Sequence, residues 1–107
     1  MPIPLSRATT EALEILAASI RSGRIRRAMT VRELAERVGV SAPTLIKIER
    51  GDPGVAIGTF LEAATLTGVP LFDPHPDVRE RLSVQKRSEL ALLPEAARPR
   101  RKVDDDF

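Results

Sequence analysis

Between Val31 and Arg50 the chain reads VRELAERVGVSAPTLIKIER, two short runs of helically spaced apolar residues separated by one glycine. Nothing else in the sequence restricts the fold as tightly. Thr30 followed by Glu33 is a capping-box pattern, in which the hydroxyl accepts from a first-turn amide and the carboxylate reaches back to the cap amide. The helix so begun runs to Val38 and stops at Gly39, the residue that adopts a left-handed C-terminal conformation at least cost. Only Val40 separates that stop from Ser41, a second N-cap, and Pro43 stands in the next first turn, where a missing N–H does no harm. The second helix ends at Gly51. Two helices joined this closely must cross steeply, which demands a small residue where they touch and apolar residues facing inward. Ala35 meets the first demand, and Leu34, Val38, Val40, Leu45 and Ile48 meet the second.

The remainder reads as helices and punctuation. Residues 1–7, with two prolines, form a loose arm. From Ala8 to Arg27 the apolar residues Leu13, Leu16, Ile20 and Ile25 fall at helical spacing, with Gly23 inside the run as a weakening element. After the Asp52-Pro53-Gly54 loop, a helix over about 57–67 presents Phe60, Leu61, Ala63 and Ala64 inward and ends at Gly68. Pro70, Pro74 and Pro76 then break the chain, and a weaker helical segment covers about 77–92, either one helix or partly an extended piece pairing across a dimer. Residues 94–107, with two prolines, four basic residues and three consecutive aspartates, cannot bury enough apolar surface to order themselves. Three Phe and no Trp or Tyr leave a core of Leu, Ile, Val and Ala, which suits packed helices. At 107 residues the chain supports one small domain with tails, and dimerisation is expected because so small a core buries limited area. The expected layout is an arm at 1–7, a domain at 8–70, a helical or dimerisation segment at 71–93 and a disordered charged tail at 94–107.

Several functions are disfavoured. With no Cys and a single His, thiolate metal sites are excluded, and neither a metal nor a cofactor is expected. No phosphate-cradling glycine loop and no acid–base or nucleophile constellation can be assembled, so the chain reads as non-enzymatic. No apolar run approaches the roughly 20 residues that cross a bilayer, and the N-terminus lacks a secretion-signal layout. A cytoplasmic location is the expectation. Net charge is only +2, but Arg21 to Arg50 holds eight basic residues against Glu33, Glu36 and Glu49. Such a concentration fits either a phosphate-bearing partner or a solvated helix surface.

The bent pair has the form of a helix-turn-helix, and the stretch SIRSGRIRRAMTVRELAERVGVSAPTLIKIERG with TFLEAATLTGV resembles the XRE family of regulators, which includes phage repressors and Cro proteins. The likeness covers roughly residues 13–69. It implies an all-α, lambda-repressor-like bundle of four to five helices with a flexible C-terminal tail. It also implies a sequence-specific DNA-binding regulator. In such a motif the second helix enters the major groove with its N-terminal residues at the base edges. Here those are Ser41, Ala42, Pro43 and Thr44, with Ile46 and Lys47 one turn on. Thr44 suits a base or a phosphate, Lys47 a guanine edge or a phosphate, and Ala42, Pro43 and Ile46 a thymine methyl, although Pro43 and Ile46 equally suit a protein partner. Few of these are bidentate readers, so DNA shape is expected to share the readout. Free amides at Thr30 face a phosphate in this picture, with Val31 where the family often has Gln. Arg26, Arg27, Arg32 and Arg50 are further expected backbone contacts. By the resemblance, Glu49 pairs structurally with Arg24.

Two segments narrow the resemblance. RGDPGVAIGTFL (50–61) is similar to the linker and fourth helix of HipB-type antitoxins, and RRKVDDDF (100–107) to a C-terminal signature in some of them. This implies a dimeric repressor of its own operon that binds double-stranded operator DNA and a HipA-type serine/threonine kinase toxin. The tail then docks on the toxin through Asp104, Asp105, Asp106 and Phe107, or serves solubility alone. The alternative is a free-standing repressor whose C-terminal segment only dimerises.

Overall fold

The computed structural model describes residues 4–97. Among them are five helices and no strand: α1 (Arg7–Arg26), α2 (Val31–Val38), α3 (Ala42–Glu49), α4 (Ile57–Leu66) and α5 (Pro76–Ala91). The chain divides into two compact units, residues 1–72 with α1 to α4 and residues 73–107 with α5. The all-α expectation is met.

In the first unit Ile20, Leu34, Leu45, Ile48, Ala63 and Ala64 are fully buried, with Phe60, Ala35 and Met29 beside them. Each of the four helices contributes to this single cluster, so the helix pair around Gly39 is held by α1 on one side and α4 on the other. Helix α1 begins one residue earlier than the sequence suggests, because Ser6 caps it by accepting from the Thr9 amide at 3.3 Å. It ends through Arg27, and Ala28 takes a positive φ of 55° that turns Met29 into the core. Ile25, the last apolar residue of the α1 run, is 57% exposed. The turn at Ala28 places Met29 where a further α1 residue would otherwise pack, and Arg24 takes up the inner position near the helix end.

Helices α2 and α3 form as their caps dictate. Thr30 and Glu33 make the reciprocal capping box, with Thr30 N to Glu33 Oε1 at 2.9 Å and Glu33 N to Thr30 Oγ1 at 3.0 Å. Gly39 sits in the left-handed region at φ 89°, and its N–H and that of Val40 both donate to the Ala35 carbonyl, at 2.9 and 3.0 Å. Ala35 is 2% exposed, so the small residue lies at the close contact. Gly51 and Gly68 likewise take positive φ where α3 and α4 stop.

One buried polar residue, Thr67, has no counterpart in the sequence reading. It lies at the C-terminus of α4, and its hydroxyl donates back to the Ala63 and Ala64 carbonyls at 2.8 and 3.1 Å. In the second unit α5 is one continuous helix, which settles its conformation against the extended alternative. It starts with Pro76 at its first turn, and none of its residues is buried. Asp73 caps the turn before it, accepting from the His75 amide at 2.9 Å, while Arg79 donates to the Asp73 carbonyl at 2.8 Å. Among the described residues, no helix is long and apolar enough to cross a membrane.

Candidate nucleic-acid interface

The first turn of α3 points outward because its other face is anchored. Leu45 and Ile48 are fully buried, whereas Ser41, Pro43, Ile46 and Lys47 are exposed and Ala42 and Thr44 are half-buried. This is the arrangement that a helix projected into a groove requires. Ser41 is the N-cap: its Oγ accepts from the Thr44 amide at 3.3 Å and lies 3.0 Å from Thr44 Oγ1. The two hydroxyls therefore orient each other and fix the side chain of Thr44 before any ligand arrives. Pro43 stiffens the same turn without removing a needed donor.

Thr44 and Lys47 line a shallow groove with Val40, with Asp52 and Val55 of the following loop and with Thr59 of α4. The loop is held by Asp52, whose Oδ1 accepts from the Gly54 amide at 2.8 Å and whose amide donates to the Lys47 carbonyl at 3.0 Å. Local sequence patterns gave no sign of this neighbourhood, since only the packing of α4 brings Thr59 beside Thr44.

At the start of α2 the capping box changes what can be offered to a phosphate. The Thr30 and Glu33 amides are both occupied, which leaves the Val31 and Arg32 amides and the exposed Arg32 side chain. The Glu33 carboxyl is held below its usual range by the hydrogen bond from the Thr30 amide, then by the Thr30 hydroxyl. Its negative charge therefore persists beside the helix end.

Of the three other arginines expected at the DNA backbone, Arg27 is engaged within the fold, and Arg26 and Arg50 border grooves away from Thr44. Arg27 donates from Nη1 to the Thr67 carbonyl at 2.6 Å, and its guanidinium lies against Gly68. It is spent on the last turn of α4, where carbonyls without helical partners attract a cation. Arg26 lines a groove between α1 and residues 67–70, and Arg50 lines another with Leu5, Thr10, Leu13 and Glu14. No residue of α2, and none from the first two turns of α3, borders either groove.

Arg24 and Glu49 form a two-pronged pair, Nε to Oε2 at 2.7 Å and Nη2 to Oε1 at 3.1 Å, with side chains only 12% and 8% exposed. The remaining prong, Nη1, donates to the Met29 carbonyl at 2.9 Å. The guanidinium pKa is raised by its hydrogen bonds to Glu49, which outweigh the opposing effect of burial. The pair ties α1 to the end of α3. Asp104, Asp105, Asp106 and Phe107 lie outside the described residues.

Comparison with curated proteins finds no match, and comparison with solved structures finds none either. A family model described as a helix-turn-helix domain matches residues 15–82, more than half of the chain and a span that contains α2, Gly39, α3 and α4. With the capped pair bent at Gly39 and the outward first turn of α3 already in place, this match means that the chain belongs to the helix-turn-helix domain family, a DNA-binding fold.

Proposed function

We propose that the protein is a transcriptional repressor that binds palindromic operator DNA as a dimer and reads each half-site with Ser41, Ala42, Pro43, Thr44, Ile46 and Lys47. The observation that carries this reading is the split character of α3, with Leu45 and Ile48 fully buried and the first turn open to solvent. Arg32 and the free amides at the start of α2 supply a phosphate contact beside it. Arg26, Arg27 and Arg50, expected only as contacts to the DNA backbone, are left out of the reading face.

The mostly apolar and hydroxyl composition of the face favours contacts to thymine methyls and single hydrogen bonds over bidentate readout. Specificity then leans on groove shape. Two copies related by a two-fold axis would place their reading helices in successive major grooves about 34 Å apart. A footprint on the DNA upstream of the protein's own gene tests this. Paired protected half-sites are expected, and they should vanish in the Thr44→Ala, Lys47→Ala double variant. Protection unchanged in that variant would overturn the assignment.

A finer role, as a HipB-like antitoxin that also neutralises a HipA-type kinase toxin, is supported by the resemblance of residues 50–61 and 100–107. Co-purification with such a kinase, lost on removal of residues 98–107, is its expected result. A chain that represses its operon with no kinase partner would instead be a free-standing repressor.

A further inference from the structure

The outer face of α1 carries apolar surface that the fold of the first unit leaves uncovered. Ile15 and Ile25 are 67% and 57% exposed, and about 15 Å of helix separates them. Ala18 and Ser22 lie between them at spacings of three and four, on one side of the helix. Beside this line runs the groove of about 470 Å³ bordered by Ile15, Ser22, Gly23, Val69 and Pro70.

Charge is divided along the same helix. Exposed Glu11 and Glu14 precede the apolar centre, and exposed Arg21 and Arg26 follow it. Among the described residues Glu11 makes a 3.8 Å contact with the exposed Arg7, an ion pair of little consequence in water. A surface whose two halves carry opposite charge about an apolar centre is complementary to itself when turned end for end. That is the condition for an interface in which the same patch serves both subunits.

We infer that this face of α1 docks a second copy of the chain, antiparallel, across a two-fold axis passing between Ala18 and Ser19. That register sets Glu11 of each copy opposite Arg26 of the other, brings Glu14 within a turn of Arg21, and seats Ile15 opposite Ser22 at the groove mouth. Ala18 and Ser19, both small, meet at the axis and let the helices approach closely. The inference adds a surface to the dimer proposed above and rests on that reading only for its two-fold pairing. DNA binding by a single subunit does not depend on it.

Charge reversal on the full-length protein tests it, with sedimentation equilibrium as the readout. Wild type is expected to dimerise. E11R/E14R and R21E/R26E should each weaken self-association at least about tenfold, because like charges then face one another across the axis. An equimolar mixture of the two should recover a heterodimer of near wild-type affinity, a result that also shows that both variants fold. A monomeric wild type, variants that dimerise as wild type does, or a mixture that fails to associate would each overturn the inference. A single half-site duplex titrated separately reports on the DNA reading, so the two can fail independently.

Discussion

Gly23 of α1 lies so close to the Thr67 carbonyl that a β-carbon at position 23 would overlap that oxygen. The same carbonyl accepts from Arg27 Nη1, so it cannot swing aside without loosening the C-terminus of α4. Gly23→Ala therefore sets two effects against each other. Alanine gains about 1 kcal/mol of helix propensity over glycine. Overpacking against fixed backbone costs about 1–3 kcal/mol. The expected outcome is a net loss of up to about 2 kcal/mol in chemical denaturation. A variant more stable than wild type would mean that α1 and α4 yield more readily than their shared hydrogen bonds suggest.

Gly39 is the opposite case. A β-carbon there would meet nothing within 4 Å, but φ is 89°. Gly39→Ala should cost about 1–2 kcal/mol from left-handed strain alone, and Gly39→Asn should cost less, because asparagine tolerates that region. Melting temperatures of the two variants order them. Equal losses would point to crowding rather than backbone conformation.

The Arg24–Glu49 pair predicts a non-additive pattern. Glu49→Ala strands a guanidinium that is 12% exposed, and Arg24→Ala strands a carboxylate that is 8% exposed. Each single change is expected to cost about 3 kcal/mol or more, since removing one partner leaves an uncompensated charge. The double variant should cost clearly less than the two losses added together. A double-mutant cycle by urea denaturation measures the difference. Strict additivity would show that the two groups stabilise the fold separately.

Much of this architecture was legible in the sequence because local rules and global packing agree at α2 and α3. Thr30, Glu33, Gly39, Ser41 and Pro43 each specify one backbone feature within four residues of themselves, and the bend follows from their order. Ile25, Arg26, Arg27 and Thr67 were not legible in that way. Ile25 ends the apolar run of α1, but the positive φ at Ala28 redirects the chain so that Met29 fills the core instead. A phosphate contact was expected for Arg27, and only the arrival of α4, forty residues later, supplies the carbonyl that holds it. Gly23 read as a defect in α1 for the same reason, since its partner Thr67 is also far along the chain. The outward first turn of α3 was legible because it needs only one helix and one bend. The groove it shares with Val55 and Thr59 was missed because it needs α4.

The capping box carries a pH dependence of known sign. The folded-state pKa of Glu33 is depressed below its ordinary value of 4.5, chiefly by the Thr30 amide. A depressed carboxylate contributes stability that is present above the unfolded-state pKa and lost as pH falls through the folded-state pKa. Wild type should thus exceed Glu33→Gln in stability at neutral pH, and the gap should close as the solution is acidified below the usual glutamate range. Thr30→Ala removes the hydroxyl acceptor and is expected to cost about 1 kcal/mol. A wild-type advantage that stays constant down to pH values below the folded-state pKa would mean that the carboxylate is not held by the cap in solution.

Arg27 and Lys47 carry the same charge, but only Lys47 should contribute to the salt dependence of DNA binding. Lys47 is exposed one turn into α3, beside Thr44, whereas the Arg27 guanidinium is bound to the end of α4. If Lys47 neutralises a phosphate, Lys47→Ala flattens the dependence of log K on log salt by about 0.9 for each phosphate no longer neutralised. If it reads a guanine instead, the variant relaxes specificity at one position with less change in slope. Arg27→Met should do neither. It is expected to lower stability by about 1–2 kcal/mol by removing a charge-assisted hydrogen bond, with the salt slope of the folded protein unchanged. Titrating one half-site duplex at several salt concentrations, with wild type and both variants, separates these outcomes. A reduced slope for Arg27→Met would return that arginine to the DNA and imply that its hold on Thr67 is released on binding.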